Sequence, residues 1–103
     1  MTTGLSEQQL VSIRSVLSAF PEIEVGILYG SRVKGTHIAR SDIDLALLGT
    51  DLERHIVNRV RLELDESDLT CSVDLIEYQT INNVQLKSHI DRLGEVIYRK
   101  EAV

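Results

Sequence analysis

The sequence predicts a small α/β (α+β) domain, a mixed β-sheet with helices packed mainly on one face. Three observations carry that expectation. Apolar residues at helical spacing alternate along the chain with short runs rich in strand formers, glycine, proline and polar clusters mark the joins, and 103 residues suffice for one modest core and no second. The span 1–103 is therefore read as a single domain.

The first helix is expected in "LSEQQLVSIRSVLSAFP". Ser6 with Gln9 has the capping-box pattern, Leu5 and Leu10 stand where a hydrophobic staple would, and Pro21 ends the run. "EVGILYG" reads as a strand closed by glycine, "SRVKGTHIARS" as a polar connection, and "DIDLALLG" as a second strand. Thr50 with Glu53 repeats the capping-box signature and opens a second helix, with Leu52, Ile56, Val60 and Leu64 along one stripe. "CSVDLIEY" is a third strand and Thr80 to Leu93 a third helix, stopped by Gly94. "EVIYRK" is a last strand, giving the order α-β-β-α-β-α-β.

Composition narrows the function. A hydrophobic fraction of 43% and a charged fraction of 26% belong to an ordinary globular protein, so disorder is not expected. A formal net charge of -5 argues against a nonspecific grip on nucleic acid, which needs cations to neutralise phosphates. One local basic spot remains, because Arg32, Lys34, His37 and Arg40 lie close together. The single cysteine, Cys71, excludes an internal disulfide and is read as a small buried or half-buried strand residue. No apolar run is long enough for a membrane span and the start lacks a basic-then-apolar leader, so a cytoplasmic location is expected.

The chemistry is concentrated in "YGSRVKGTHIARSDIDLAL". Residues two apart in a strand share a face, so Asp42 and Asp44 project side by side while Ile43, Leu45 and Leu47 face the other way. Their Cα atoms stand roughly 6.5 to 7 Å apart, a spacing that suits carboxylates gripping one or two cations. Asp74 is a charge wedged between Val73 and Leu75, and if its strand lies beside the first pair, three carboxylates meet. Without a cation such a cluster would raise its members' pKa and destabilise the fold. Hard divalent ions prefer these ligands, and Mg²⁺ is usually held by a few carboxylates together with its substrate's phosphates.

Ahead of the aspartates, Gly30 permits close backbone approach, Ser31 offers a hydroxyl, and the residues after them are expected to begin a helical turn favourable to an anion. Lys34 and Arg40 add charge, and Gly35 allows a second bend. The remaining candidates read as structural. His37, His55 and His89 lack metal-like spacing and are expected at the surface or its boundary, the charges of the second helix read as a solvated face, and Tyr29, Tyr78 and Tyr98 are expected to pack.

"GSRVKG", then "SDIDLAL", then "VDLIE" together resemble the minimal nucleotidyltransferases of the DNA polymerase beta superfamily, whose signature is Gly-Ser, a spacer, Asp-x-Asp and a third Asp. The resemblance covers nearly the whole chain and implies a nucleotidyltransferase fold. It also implies that Gly30, Ser31, Arg32, Lys34 and Ser41 bind the nucleotide. Asp42, Asp44 and Asp74 would then be catalytic and hold two Mg²⁺ ions, with ATP as donor. Family members of this size are commonly encoded beside a small all-helical HEPN or substrate-binding protein, and several act as the antitoxin that transfers AMP to a tyrosine of the toxin. A hetero-oligomer with such a partner is therefore expected, with no direct binding of nucleic acid or membrane. Two other readings stay open on the residues: a nucleotide-binding module that neutralises or assists its partner without catalysis, and transfer to a small-molecule acceptor.

Overall fold

A computed structural model of the chain describes residues 4–36 and 41–101. His37 and Arg40, part of the expected basic spot, lie outside the described residues. The first helix, α1 (Glu7–Ser18), has the predicted capping box, with the Ser6 hydroxyl accepting from the Gln9 amide and the Gln9 side chain accepting from the Ser6 amide. Leu5 and Leu10, the staple pair, are both buried in the main core.

The sheet is built from β1 (Val25–Tyr29), β2 (Ile43–Leu48), β3 (Val73–Glu77) and β4 (Glu95–Arg99), in the order β3-β2-β1-β4. β1 runs antiparallel to β2 and to β4, whereas β2 and β3 are parallel. Parallel neighbours need a crossover, and α3 (Arg54–Asp65) provides it. Between β1 and β2 the chain makes a single helical turn, α2 (Ser31–Lys34), ended by Gly35 in the left-handed region.

Alternation along the strands sorts the sheet into two faces. Leu28, Ile43, Leu45, Leu47, Val73 and Leu75 join α1 and α3 in one continuous core. The predicted stripe of α3 is present, with Ile56, Val60 and Leu64 buried from the helix and Leu52 from the turn before it. α4 (Val84–Leu93) covers the opposite face, where its Ile90 packs with Tyr29 and Ala46 in a smaller cluster flanked by Ile27 and Ile76. The sheet thus has two helices on its main face and one on the face that carries the aspartates.

Two helix starts differ from expectation. Thr50 does not cap α3, whose N-cap is Glu53 without a side-chain bond. The Thr50 amide and hydroxyl instead donate to the Glu24 carboxylate at 3.1 and 2.6 Å, because β1 pairs with β2 and so brings Glu24 beside the turn that leaves β2. Those bonds hold the Glu24 carboxyl below its ordinary pKa. The third helix begins at Val84 rather than Thr80, since Tyr78–Thr80 form a 3₁₀ turn and the Thr80 hydroxyl donates to the Glu77 carbonyl. Asn83 then caps α4 by accepting from the Leu86 amide at 3.0 Å, a contact worth about 1 kcal/mol.

Candidate active site

Strand register assembles the carboxylates. Asp44 on β2 is paired directly with Asp74 on parallel β3, and with Tyr29 at the end of β1 on its other side. Both aspartates share the α4 face with Ala46 and Ile76, while their apolar neighbours point into the main core. Asp42 precedes β2 and is exposed, Asp44 is half-buried, and Asp74 is exposed. Mutual repulsion is felt at the centre of the group: burial first, then Asp74 and Asp42, push the Asp44 carboxyl above its ordinary pKa, with Arg32 opposing them. The same burial, reinforced by Asp44 and Asp74, drives the Tyr29 phenol up to about 12.

The donor set, three oxygen ligands on one face, is chemically that of a hard divalent cation. The side chains do not close on one another, since among the described residues no three His, Cys, Asp or Glu groups are drawn together tightly enough to hold an ion. Repulsion between like charges on neighbouring strands explains that spread.

The glycine turn abuts this group. Gly30 has φ 84° and ψ -150°, a conformation essentially closed to residues with a side chain. It is also packed so closely that a Cβ there would collide with the Asp44 carboxylate. Its carbonyl accepts from the Val33 and Lys34 amides at 3.2 and 3.3 Å, which shapes the turn. Its own amide donates to Nε2 of His89 at 3.0 Å. Ser31 is half-buried at the start of α2 and Lys34 is exposed at its end.

Arg32, expected at the nucleotide, lies within the fold. It is 3% exposed and turned inward, where its guanidinium donates to the carbonyls of Gly4 and Ser41 and to the Cys71 sulfur. A charge this deep needs polar partners, and these bonds tie the segment before α1 to the lead-ins of β2 and β3. Ser41 enters through its carbonyl, and Cys71 is half-buried as expected.

His89 is a residue at the turn that the sequence reading did not single out. It is half-buried on α4, stands edge-on to Tyr29 with ring centroids 6.2 Å apart, and reaches the turn from the helix that covers the aspartate face. Spacing gave no signal for it, because its partner lies 59 residues away in sequence. Two surface grooves, of about 700 and 690 Å³, lie elsewhere and include none of the three aspartates.

A family model for the polymerase beta nucleotidyltransferase domain matches residues 12–102. The chain belongs to that family. Among curated relatives, the probable protein adenylyltransferase MntA of Haemophilus influenzae is 29% identical over 98 residues, covering 94% of this chain and 85% of that protein. Among solved structures, a toxin-antitoxin complex with AMP-PNP contains a chain that superposes with a TM-score of 0.70 at 23% identity, covering 94% of this chain and 76% of its own. A complex of tri-AMPylated Shewanella oneidensis HEPN toxin with MNT antitoxin gives 0.66 at 22% identity, with coverages of 88% and 70%. These likenesses show the nucleotidyltransferase fold predicted from the motif set. No helix among the described residues is long and apolar enough to cross a membrane.

Proposed function

We propose that this protein is an Mg²⁺-dependent nucleotidyltransferase that moves AMP from ATP to a hydroxyl, most simply a tyrosine, of a small helical HEPN-type partner, as the antitoxin of a toxin-antitoxin pair. The observation that carries this reading is the Asp44–Asp74 register with Gly30 packed against Asp44, which puts a strained turn and paired carboxylates on one platform. Asp42, Asp44 and Asp74 are the residues to hold the metal. Bound there, Mg²⁺ supplies charge neutralisation for the triphosphate and lowers the pKa of the attacking hydroxyl. The Gly30–Ser31 backbone, with Lys34 at the end of α2, receives the phosphates, and Arg32 ties the turn to the lead-ins of β2 and β3. In the reaction the acceptor hydroxyl gives up its proton to solvent as its oxygen bonds to the α-phosphorus, the bond from that phosphorus to the α,β-bridging oxygen breaks, and pyrophosphate departs.

Asp42 and Asp74 are exposed, so an acceptor hydroxyl carried by a second protein can reach the carboxylates. The names borne by the relatives agree, since one is called a protein adenylyltransferase and another is the antitoxin bound to an AMPylated HEPN toxin.

Ligand-induced stabilisation tests the metal and nucleotide assignments. MgATP at 100 times its Kd adds about 2.7 kcal/mol, equivalent to a Tm rise of roughly 10 °C for a domain of this size. Wild type is expected to show that rise and Asp44→Asn to show little of it. An equal rise in both would overturn the assignment of Asp44.

A further inference from the structure

His89 belongs to the helix that covers the aspartate face, yet its ring reaches the turn itself. The Gly30 amide donates to Nε2 at 3.0 Å, so that nitrogen carries no proton and the imidazole is neutral with its hydrogen on Nδ1. Burial, then Lys34 and Arg92, hold its pKa below the ordinary value and keep it in that form. Edge-on contact with Tyr29 fixes the ring plane. Gly30 is thereby held between two groups, with the Asp44 carboxylate against its α-carbon and His89 on its amide.

We propose that His89 is a positioning residue for the nucleotide: by accepting the Gly30 hydrogen bond it sets the orientation of the Tyr29–Gly30 peptide that leads into Ser31, and so ties α4 to the phosphate turn. This rests on the assignment of the turn to nucleotide made above. Gly30 has no side chain to cap the turn and sits in a conformation that the backbone leaves unless something holds it. His89 is the side chain seen to hold its amide. Glutamine is long enough to replace the acceptor with its amide oxygen, whereas leucine fills the space and accepts nothing.

The experiment uses the full chain and two variants, His89→Gln and His89→Leu, with MgATP as probe and urea denaturation to confirm folding. Nitrogen-15 correlation spectra of wild type are expected to show His89 with Nε2 unprotonated, and the Gly30 amide resonance is expected to move in His89→Leu and to stay near its place in His89→Gln. Loss of one hydrogen bond that orders the turn should weaken MgATP binding about tenfold in His89→Leu, with His89→Gln within about threefold of wild type. Wild-type affinity in His89→Leu, or equal loss in both variants, would overturn the positioning role while leaving the nucleotide assignment intact. Absence of MgATP binding by wild type would overturn that assignment and this inference with it. A His89 spectrum with the proton on Nε2 would remove the hydrogen bond on which the inference stands.

Discussion

Replacing Gly30 by alanine strikes the junction of the turn and the carboxylates, and its effect can be worked out from geometry. The backbone at φ 84° and ψ -150° lies where an L side chain costs about 1–3 kcal/mol. The new methyl also meets Asp44, whose Cγ and Cβ would lie only 3.1 and 3.4 Å away behind the clashing oxygen. Aspartate is too short to swing clear, so forcing it aside adds about 1–3 kcal/mol. A combined loss of about 3 kcal/mol, with a urea slope near 1.5 kcal/mol per M, lowers the denaturation midpoint by about 2 M. Gly35→Ala is the control, because Gly35 also has a positive φ, 78°, but nothing lies within 4 Å of a Cβ there. Only the left-handed penalty of about 1–2 kcal/mol applies to it. Urea denaturation of both variants should show Gly30→Ala as clearly the costlier. Equal losses would refute the claim that Asp44 is pressed against the turn.

Two other substitutions separate structural from functional charge. The folded-state pKa of Asp44 is raised by burial, Asp74 and Asp42, so its contribution to stability is present below the unfolded pKa and is lost as pH rises through the folded one. Asp44→Asn is therefore expected to be more stable than wild type at neutral pH, with the gap closing below about pH 3.9, and a wild type of equal or greater stability at pH 7 would contradict this. Arg32→Met removes the guanidinium from the carbonyls of Gly4 and Ser41 and from Cys71, and should cost roughly 3 kcal/mol in urea denaturation. A loss under about 1 kcal/mol would contradict the reading of Arg32 as the tie between the turn and the lead-ins of β2 and β3.

Much of this architecture was legible in the residues. Periodicity placed the helices and strands, and the period of two put Asp42 and Asp44 on one face before any strand order was known. The meeting of Asp44 with Asp74 depended on β3 lying beside β2, which the helical crossover made the natural pairing. The features that escaped are those set by contacts between distant segments. Glu24 drew Thr50 away from capping, the turn of α2 carried Arg32 inward, and α4, packed across the aspartate face, delivered His89 to Gly30. A motif fixes which residue types recur at which spacing. It does not fix which way an arginine points after a single helical turn, or which histidine of a distant helix finds an unoccupied amide.

The most direct test of the central claim is transfer of label from [α-³²P]ATP with Mg²⁺ to a small helical partner of the HEPN type. Wild type is expected to leave AMP covalently on a tyrosine of that partner, and the double variant Asp42→Asn with Asp44→Asn to leave none. Undiminished labelling by the double variant, or an unlabelled partner in a stable complex with wild type, would contradict it.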